Sequence, residues 1–223
     1  MRIAAVIFDL DGVIVSTDEF HYLGWKRMAD EEGIPFDRSM NERLRGVSRM
    51  ESLEIILEKA GRPYTDDEKK ELAGRKNNYY RQLLENLSPA NILPGVMGLL
   101  DGLRQEGVRI AVGSSSRNTP VIIEKIGLFH VFDAIADGNG IVNSKPDPEV
   151  FLLAAQKLGV EPARCLVVED AEAGVIAARA AGMRVVAVGS AANSPQADFS
   201  ADDLSEVTVS DLADYFIWEP IKG

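Results

Sequence analysis

Continuous apolar runs alternate with amphipathic stretches over most of this chain. Ile3 to Phe8 is the first run, followed by Val108 to Val112, Ala134 to Ala136, Cys165 to Val168 and Val185 to Val188. Runs without polar alternation predict strands buried on both faces, the habit of a parallel sheet. Helical periodicity fills the intervals, over residues 119–126, 148–158 and 171–181. Asp147-Pro148 predicts an N-cap followed by a proline in the first turn. Gly107, Gly159 and Gly182 stand where helices should stop. Strand alternating with helix predicts an α/β fold with a doubly wound, parallel-sheet core.

Residues 18–87 break that rhythm. They hold no strand-like run, and they carry capping-box patterns at Ser39 to Glu42, Ser48 to Glu51 and Thr65 to Glu68. The pattern predicts a small helical-bundle cap domain inserted after the first strand, with residues 1–17 and 88–223 forming the α/β catalytic core. An all-helical insert beside the end of a strand suits a lid. From Ser190 onward the expectation is a polar loop, one strand near Val207, and a short helix carrying Tyr215, Phe216 and Trp218 as core-packing residues.

Composition narrows the functional classes. A chain of 223 residues with 46% hydrophobic content can bury a sizeable core. Its net charge of −11, from 24 Lys+Arg against 35 Asp+Glu, argues against a nucleic-acid or anionic-membrane surface. That balance still allows a local phosphate site and suits a divalent cation. The single cysteine, Cys165, excludes an intrachain disulfide and is expected to be a buried apolar residue. The N-terminal apolar run is too short for a signal segment or a membrane span, and Asp9 interrupts it. A cytoplasmic location is expected.

Polar clusters close the predicted strands. Asp9 and Asp11 follow the first run two residues apart, so on an extended strand they share a face. Asp11-Gly12 is equally readable as an ordinary strand-ending turn. Unit charges 4 Å apart cost about 4 kcal/mol at an effective dielectric of 20, so an acid pair that close requires a cation or a proton. Ser114, Ser115, Ser116, Arg117 and Asn118 follow the second run. Hydroxyls and backbone N–H groups ahead of a helix form a phosphate cradle, or merely cap the helix. Lys145 precedes a proline at a helix start, where a cation is locally unfavourable without an anion nearby; a solvated surface lysine is the alternative. Glu169 and Asp170 close the fourth run, either as hard oxygen ligands of the kind Mg²⁺ prefers or, for Asp170, as an N-cap. Arg49 follows a capping serine in a first helical turn, and His21 shares a helical face with Trp25 and Met28.

This ordered set resembles the haloacid dehalogenase superfamily of phosphotransferases. The stretches that carry the likeness are Phe8 to Ile14, Thr17, His21, Trp25-Lys26, Gly46 to Arg49, Arg75 to Asn77, Ser88 to Ala90, Ser114 to Asn118, Ser144 to Pro146 and Glu169-Asp170. The stretches inside residues 18–87 point to the sugar-phosphate mutases of that superfamily. The resemblance implies an isomerase that interconverts β-glucose 1-phosphate and glucose 6-phosphate through an aspartyl-phosphate and a bisphosphate. It makes Asp9 the nucleophile and Asp11 the general acid/base, a role that needs a pKa above the usual 3.9 or so for aspartate. Mg²⁺ is implied at the Asp9 side chain, the Asp11 carbonyl, Glu169 and Asp170. Ser114, Ser115 and Lys145 would bind the transferring phosphoryl group, and Arg49 the other phosphate.

Thr17, His21, Trp25, Gly46, Val47, Ser48, Lys76, Ser116 and Asn118 would meet the sugar, by the same resemblance. Two departures from the family pattern bear on sugar specificity. Arg45 replaces the usual lysine before Gly46, and Ser115 and Arg117 stand where alanine and lysine are common. The implied partner is a small sugar phosphate, with no nucleic acid, no membrane and a monomeric chain. A sugar-phosphate phosphatase and a silent sugar-phosphate-binding protein are the alternatives.

Overall fold

The apolar run at the N-terminus is interrupted at Ala4. The computed structural model describes residues 2–44 and 47–220, and it divides the run into strands β1 (Arg2–Ile3) and β2 (Ala5–Phe8). The strands that follow are β3 (Arg109–Gly113), β4 (Ala134–Ala136), β5 (Cys165–Glu169), β6 (Arg184–Ala187), β7 (Phe199–Ser200) and β8 (Ile217–Trp218). The division has its cause at the other end of the chain. β1 pairs in parallel with β8, Ile3 facing Trp218, in a two-stranded sheet of its own. The Ala4 backbone is satisfied on both sides, its N–H by Arg164 and its carbonyl by Arg109.

The main sheet has the order β4-β3-β2-β5-β6-β7, and every neighbouring pair is parallel. Ala5, Ile7, Ala111, Cys165, Val167, Val185 and Ala187 pack in one core with helices α7 (Glu149–Leu158) and α8 (Glu172–Ala180). Their alternates Val6, Phe8, Ile110, Val112, Leu166, Val168 and Val186 are buried as well. Both faces are therefore covered, which is why these strands read as unbroken apolar runs. Helices α5 (Val96–Gln105), α6 (Thr119–Lys125) and α9 (Val209–Ala213) complete this unit. It is a doubly wound parallel α/β sheet, as the sequence pattern predicts.

The chain divides into two compact units, Met1–Ser16 with Ser88–Gly223, and Thr17–Leu87. The second holds α1 (Asp18–Glu31), α2 (Arg38–Glu42), α3 (Arg49–Leu57) and α4 (Asp66–Leu84), with α4 packed mainly on α1. Trp25, Met28, Leu53, Ile56 and Leu72 form its core. Each such aliphatic side chain stabilises the unit by roughly 1.5–3 kcal/mol. Complete capping boxes start α3 at Ser48 with Glu51, and α4 at Thr65 with Glu68. Among the described residues, no helix is long and apolar enough to cross a membrane.

Several local expectations are corrected. α2 is capped by Asp37, whose carboxylate accepts from the Met40 N–H at 2.9 Å, so Ser39 lies inside the helix. The cap residue of α7 is Pro148, although Asp147 does accept from the Glu149 N–H at 2.9 Å. In the tail, the strand is Phe199–Ser200 rather than one near Val207, and α9 ends before the aromatics. Phe216 is buried, Tyr215 is 58% exposed, and Trp218 belongs to β8. Of these aromatics only Trp218 takes part in the pairing with β1; Tyr215 and Phe216 follow α9, their N–H groups donating to the Leu212 carbonyl.

Candidate active site

Register brings the polar strand ends together. Phe8 is level with Val112 of β3 and with Val168 of β5. The next residues, Asp9, Gly113 and Glu169, therefore emerge side by side at the carboxyl edge, and the Asp9 N–H donates to the Val168 carbonyl at 2.9 Å. The chain order runs from β2 out to β3 and β4, then crosses to β5, β6 and β7. β2 is thus the switch point of the sheet, where open α/β sheets bind their ligands.

Lys145 occupies the centre of this edge. Its ammonium donates to Asp9 Oδ1 at 2.6 Å and to Glu169 Oε2 at 2.7 Å, and it lies 4.7 Å from the centroid of the Phe151 ring. It is 2% exposed, so the surface-lysine reading is excluded. Burial alone would lower the lysine's pKa, but the charges of Asp9 and Glu169 outweigh it and hold the ammonium above its ordinary value. Burial pushes the Glu169 carboxyl up; the Lys145 charge opposes that rise and the Asp9 charge adds to it. The peptide bond between Lys145 and Pro146 is cis.

Asp9, Glu169 and Asp170 each bring a carboxylate oxygen within 4.8 Å of the others, all three buried. The Asp11 carboxylate is not in this group; the resemblance implies only its backbone carbonyl as a ligand. Asp170 does not cap α8, whose cap residue is Ala171. Instead Glu169 Oε1 accepts from the Asp170 and Ala171 N–H groups at 3.1 and 3.0 Å, and Ser190 Oγ donates to the Asp170 carbonyl at 2.6 Å. A Cβ on Gly12 would come within 2.1 Å of Asp170 Oδ2, and the Gly12 φ of 81° also favours glycine. The donor set fits Mg²⁺. Its oxygens are hard, and three carboxyl groups meet one ammonium, a surplus of acidic ligands of the kind a divalent cation takes.

The serine loop lies beside this group. The Ser114 N–H donates to the Ala136 carbonyl, Ser114 Oγ accepts from the Ser116 N–H at 3.1 Å, and Ser116 Oγ accepts from the Asn118 N–H at 3.2 Å. The Lys145 N–H reaches Ser115 Oγ at 3.5 Å. The bonds of Ser114 and Ser116 order successive backbone groups ahead of α6, the geometry of an anion cradle.

The helical unit holds a second polar cluster. Lys76 is 2% exposed and lies 3.0 Å from His21 Nδ1. Its ammonium also lies 4.8 Å from the ring centroids of Trp25 and Tyr80. Because an ammonium only donates, Nδ1 is the acceptor and the proton of the neutral ring sits on Nε2. Burial, then the Lys76 and Arg49 charges, hold His21 well below its usual pKa. Tyr80 Oη donates to Thr17 Oγ1 at 3.1 Å, and its ring centroid is 4.2 Å from that of His21. Ser48 caps α3 and Arg49 is its first residue. Val47 precedes that cap, whereas Gly46 and Arg45 lie outside the described residues. Sequence reasoning missed Tyr80, although it lies one helical turn from Lys76 and on the same face of α4. It also missed Phe151 and Ser190, which no local motif marks.

Comparison with known proteins agrees with this geometry. The family model of haloacid dehalogenase-like hydrolases matches residues 3–182. A β-phosphoglucomutase of Bacillus subtilis (strain 168) is 47% identical over 220 residues, covering 98% of this chain and 96% of that relative. A phosphorylated carbohydrates phosphatase of Thermotoga maritima is 30% identical over 182 residues, covering 80% and 82%. The crystal structure of a β-phosphoglucomutase from Clostridium difficile superposes with a TM-score of 0.90 at 38% identity and covers 96% of each chain. The chain belongs to the haloacid dehalogenase-like hydrolase family.

Proposed function

We propose that this chain is a phosphotransferase of the isomerase type, interconverting β-glucose 1-phosphate and glucose 6-phosphate through glucose 1,6-bisphosphate. The observation that carries the reading is the buried Asp9–Lys145–Glu169 group beside Asp170, at the switch point of the sheet. Likeness to a β-phosphoglucomutase over nearly the whole chain supports the sugar and the outcome.

In this reading the Asp9 carboxylate attacks the C1 phosphorus of glucose 1,6-bisphosphate, the bond from that phosphorus to the sugar oxygen breaks, and Asp11 gives the oxygen its proton, releasing glucose 6-phosphate. The aspartyl-phosphate then passes its phosphoryl group to the 6-hydroxyl of β-glucose 1-phosphate, whose proton Asp11 takes, and the bisphosphate is formed again. Lys145, Ser114 and Ser115 bind the phosphoryl oxygens and stabilise the charge that develops on them. Asp9, the Asp11 carbonyl, Glu169 and Asp170 would hold Mg²⁺. Bound there, the ion neutralises the carboxylates and phosphoryl oxygens that must approach one another. Arg49 takes the second phosphate, while Thr17, His21, Trp25, Gly46, Val47, Ser48, Lys76, Ser116 and Asn118 orient the sugar. The neutral imidazole of His21 beside the Lys76 ammonium suits hydrogen bonding to hydroxyls rather than ion pairing. We assign the activity to a cytoplasmic monomer acting on a free sugar phosphate without nucleic acid, in keeping with a net charge of −11.

A hydrolase of the same fold is the competing reading, favoured by the likeness to a carbohydrate phosphatase. Both are tested by supplying β-glucose 1-phosphate, Mg²⁺ and a trace of glucose 1,6-bisphosphate, then following glucose 6-phosphate and free phosphate together. The mutase yields glucose 6-phosphate with little free phosphate. Free phosphate as the main product would replace it with the hydrolase, and the absence of both products would leave a binding protein.

A further inference from the structure

We infer that Gly174 is a positioning residue for Glu169, holding that carboxylate in place by leaving vacant the volume it fills. A Cβ built on Gly174 would lie 2.0 Å from both Cδ and Oε2 of Glu169, and 2.5 Å from its Cγ. No real contact is that short, so the glycine and the carboxylate share one space. Glu169 cannot step aside. It is 1% exposed, its Oε1 is fixed by the Asp170 and Ala171 N–H groups, and its Oε2 by Lys145. Backbone conformation does not explain the glycine. Gly174 sits in the first turn of α8, its N–H donating to Ala171, and it carries no positive φ. In that position alanine is the better helix former. A glycine there costs helix stability and gives Glu169 its seat. Gly12 seats Asp170 in the same way, but its positive φ mixes backbone strain with the steric effect, so Gly174 is the cleaner test.

The inference rests on the metal role proposed for Glu169, and its experiment separates the two. Mg²⁺ binding is measured by calorimetry without substrate in the wild type and in Gly174→Ala. Urea unfolding without metal is measured in the wild type, Gly174→Ala, Glu169→Ala and the double variant. Gly174→Ala is expected to weaken Mg²⁺ binding by roughly 10–100-fold, the loss typical when the support of a ligand is disturbed. It is also expected to lower the urea midpoint in the wild-type background, and to leave it unchanged or raise it in the Glu169→Ala background. Unchanged Mg²⁺ affinity, or equal destabilisation in both backgrounds, would overturn the seat. If Gly174→Ala does not fold, the double variant must; its failure would overturn the proposal too. A wild type that binds no Mg²⁺ would instead sink the metal reading, and the unfolding comparison would still decide the seat.

Discussion

Lys145 and Asp9, 136 positions apart in the chain, meet through a hydrogen bond of 2.6 Å at a site almost closed to solvent. The same ammonium holds Glu169, so a single cation lies between two buried acids. Removing one partner of a buried ion pair costs about 3–5 kcal/mol, because the remaining charge is left uncompensated. Lys145→Met is therefore expected to lower metal-free stability by about that much in urea unfolding. Stability equal to wild type would show that the lysine does not hold these acids together.

Arg49 separates the second phosphate from the transferring one. Arg49→Ala should cripple mutase turnover. Formation of the aspartyl-phosphate from a small phosphodonor should remain nearly intact. Equal loss of both steps would remove Arg49 from the second-phosphate role.

His21 links stability to pH. Its folded pKa is depressed by burial and by the Lys76 and Arg49 charges, whereas the unfolded histidine titrates near 6.5. Below that value the unfolded chain binds a proton that the folded chain refuses, so stability falls as pH drops. The slope attributable to one such proton is about 1.4 kcal/mol per pH unit. His21→Asn should flatten the pH dependence between about pH 5 and pH 7. Parallel curves for wild type and variant would contradict the neutral, half-buried imidazole.

Cys165 should be silent to alkylation in the folded chain. Burial pushes its thiol up to about 12, and its sulfur donates to the Glu161 carbonyl at 3.6 Å. Only thiolate reacts readily, so labelling at neutral pH should track global unfolding in urea. Rapid labelling under native conditions would require a local opening of β5.

Much of the fold was legible because its signals are local. The apolar runs of β2, β3 and β5 reflect burial on both faces, and the boxes at Ser48 and Thr65 are complete within four residues. The acids at Asp9, Glu169 and Asp170 were visible as strand-end pairs, and the register of β2 with β5 brings them together. What escaped depends on distant partners. β8 is two residues long, too short for any period, and exists only through pairing with β1. The cap of α2 shifts to Asp37 because two candidate residues lie two apart and only geometry chooses between them. Lys145 is marked in the sequence as a site residue, but its partners Asp9 and Glu169 show only once the sheet places them around it. Gly174 looks like an indifferent helix residue, since nothing local reveals that Glu169 occupies its missing side chain.

In the proposed reaction Asp9 carries the phosphoryl group between the two ends of the sugar. The most direct test is to incubate the chain with Mg²⁺ and glucose 1,6-bisphosphate, quench in acid, and locate the phosphoryl group by mass spectrometry of peptides. Phosphorylation is expected at Asp9 and none in Asp9→Asn, which should also be inactive. A phosphoryl group on another residue, or turnover by Asp9→Asn at the wild-type rate, would contradict it.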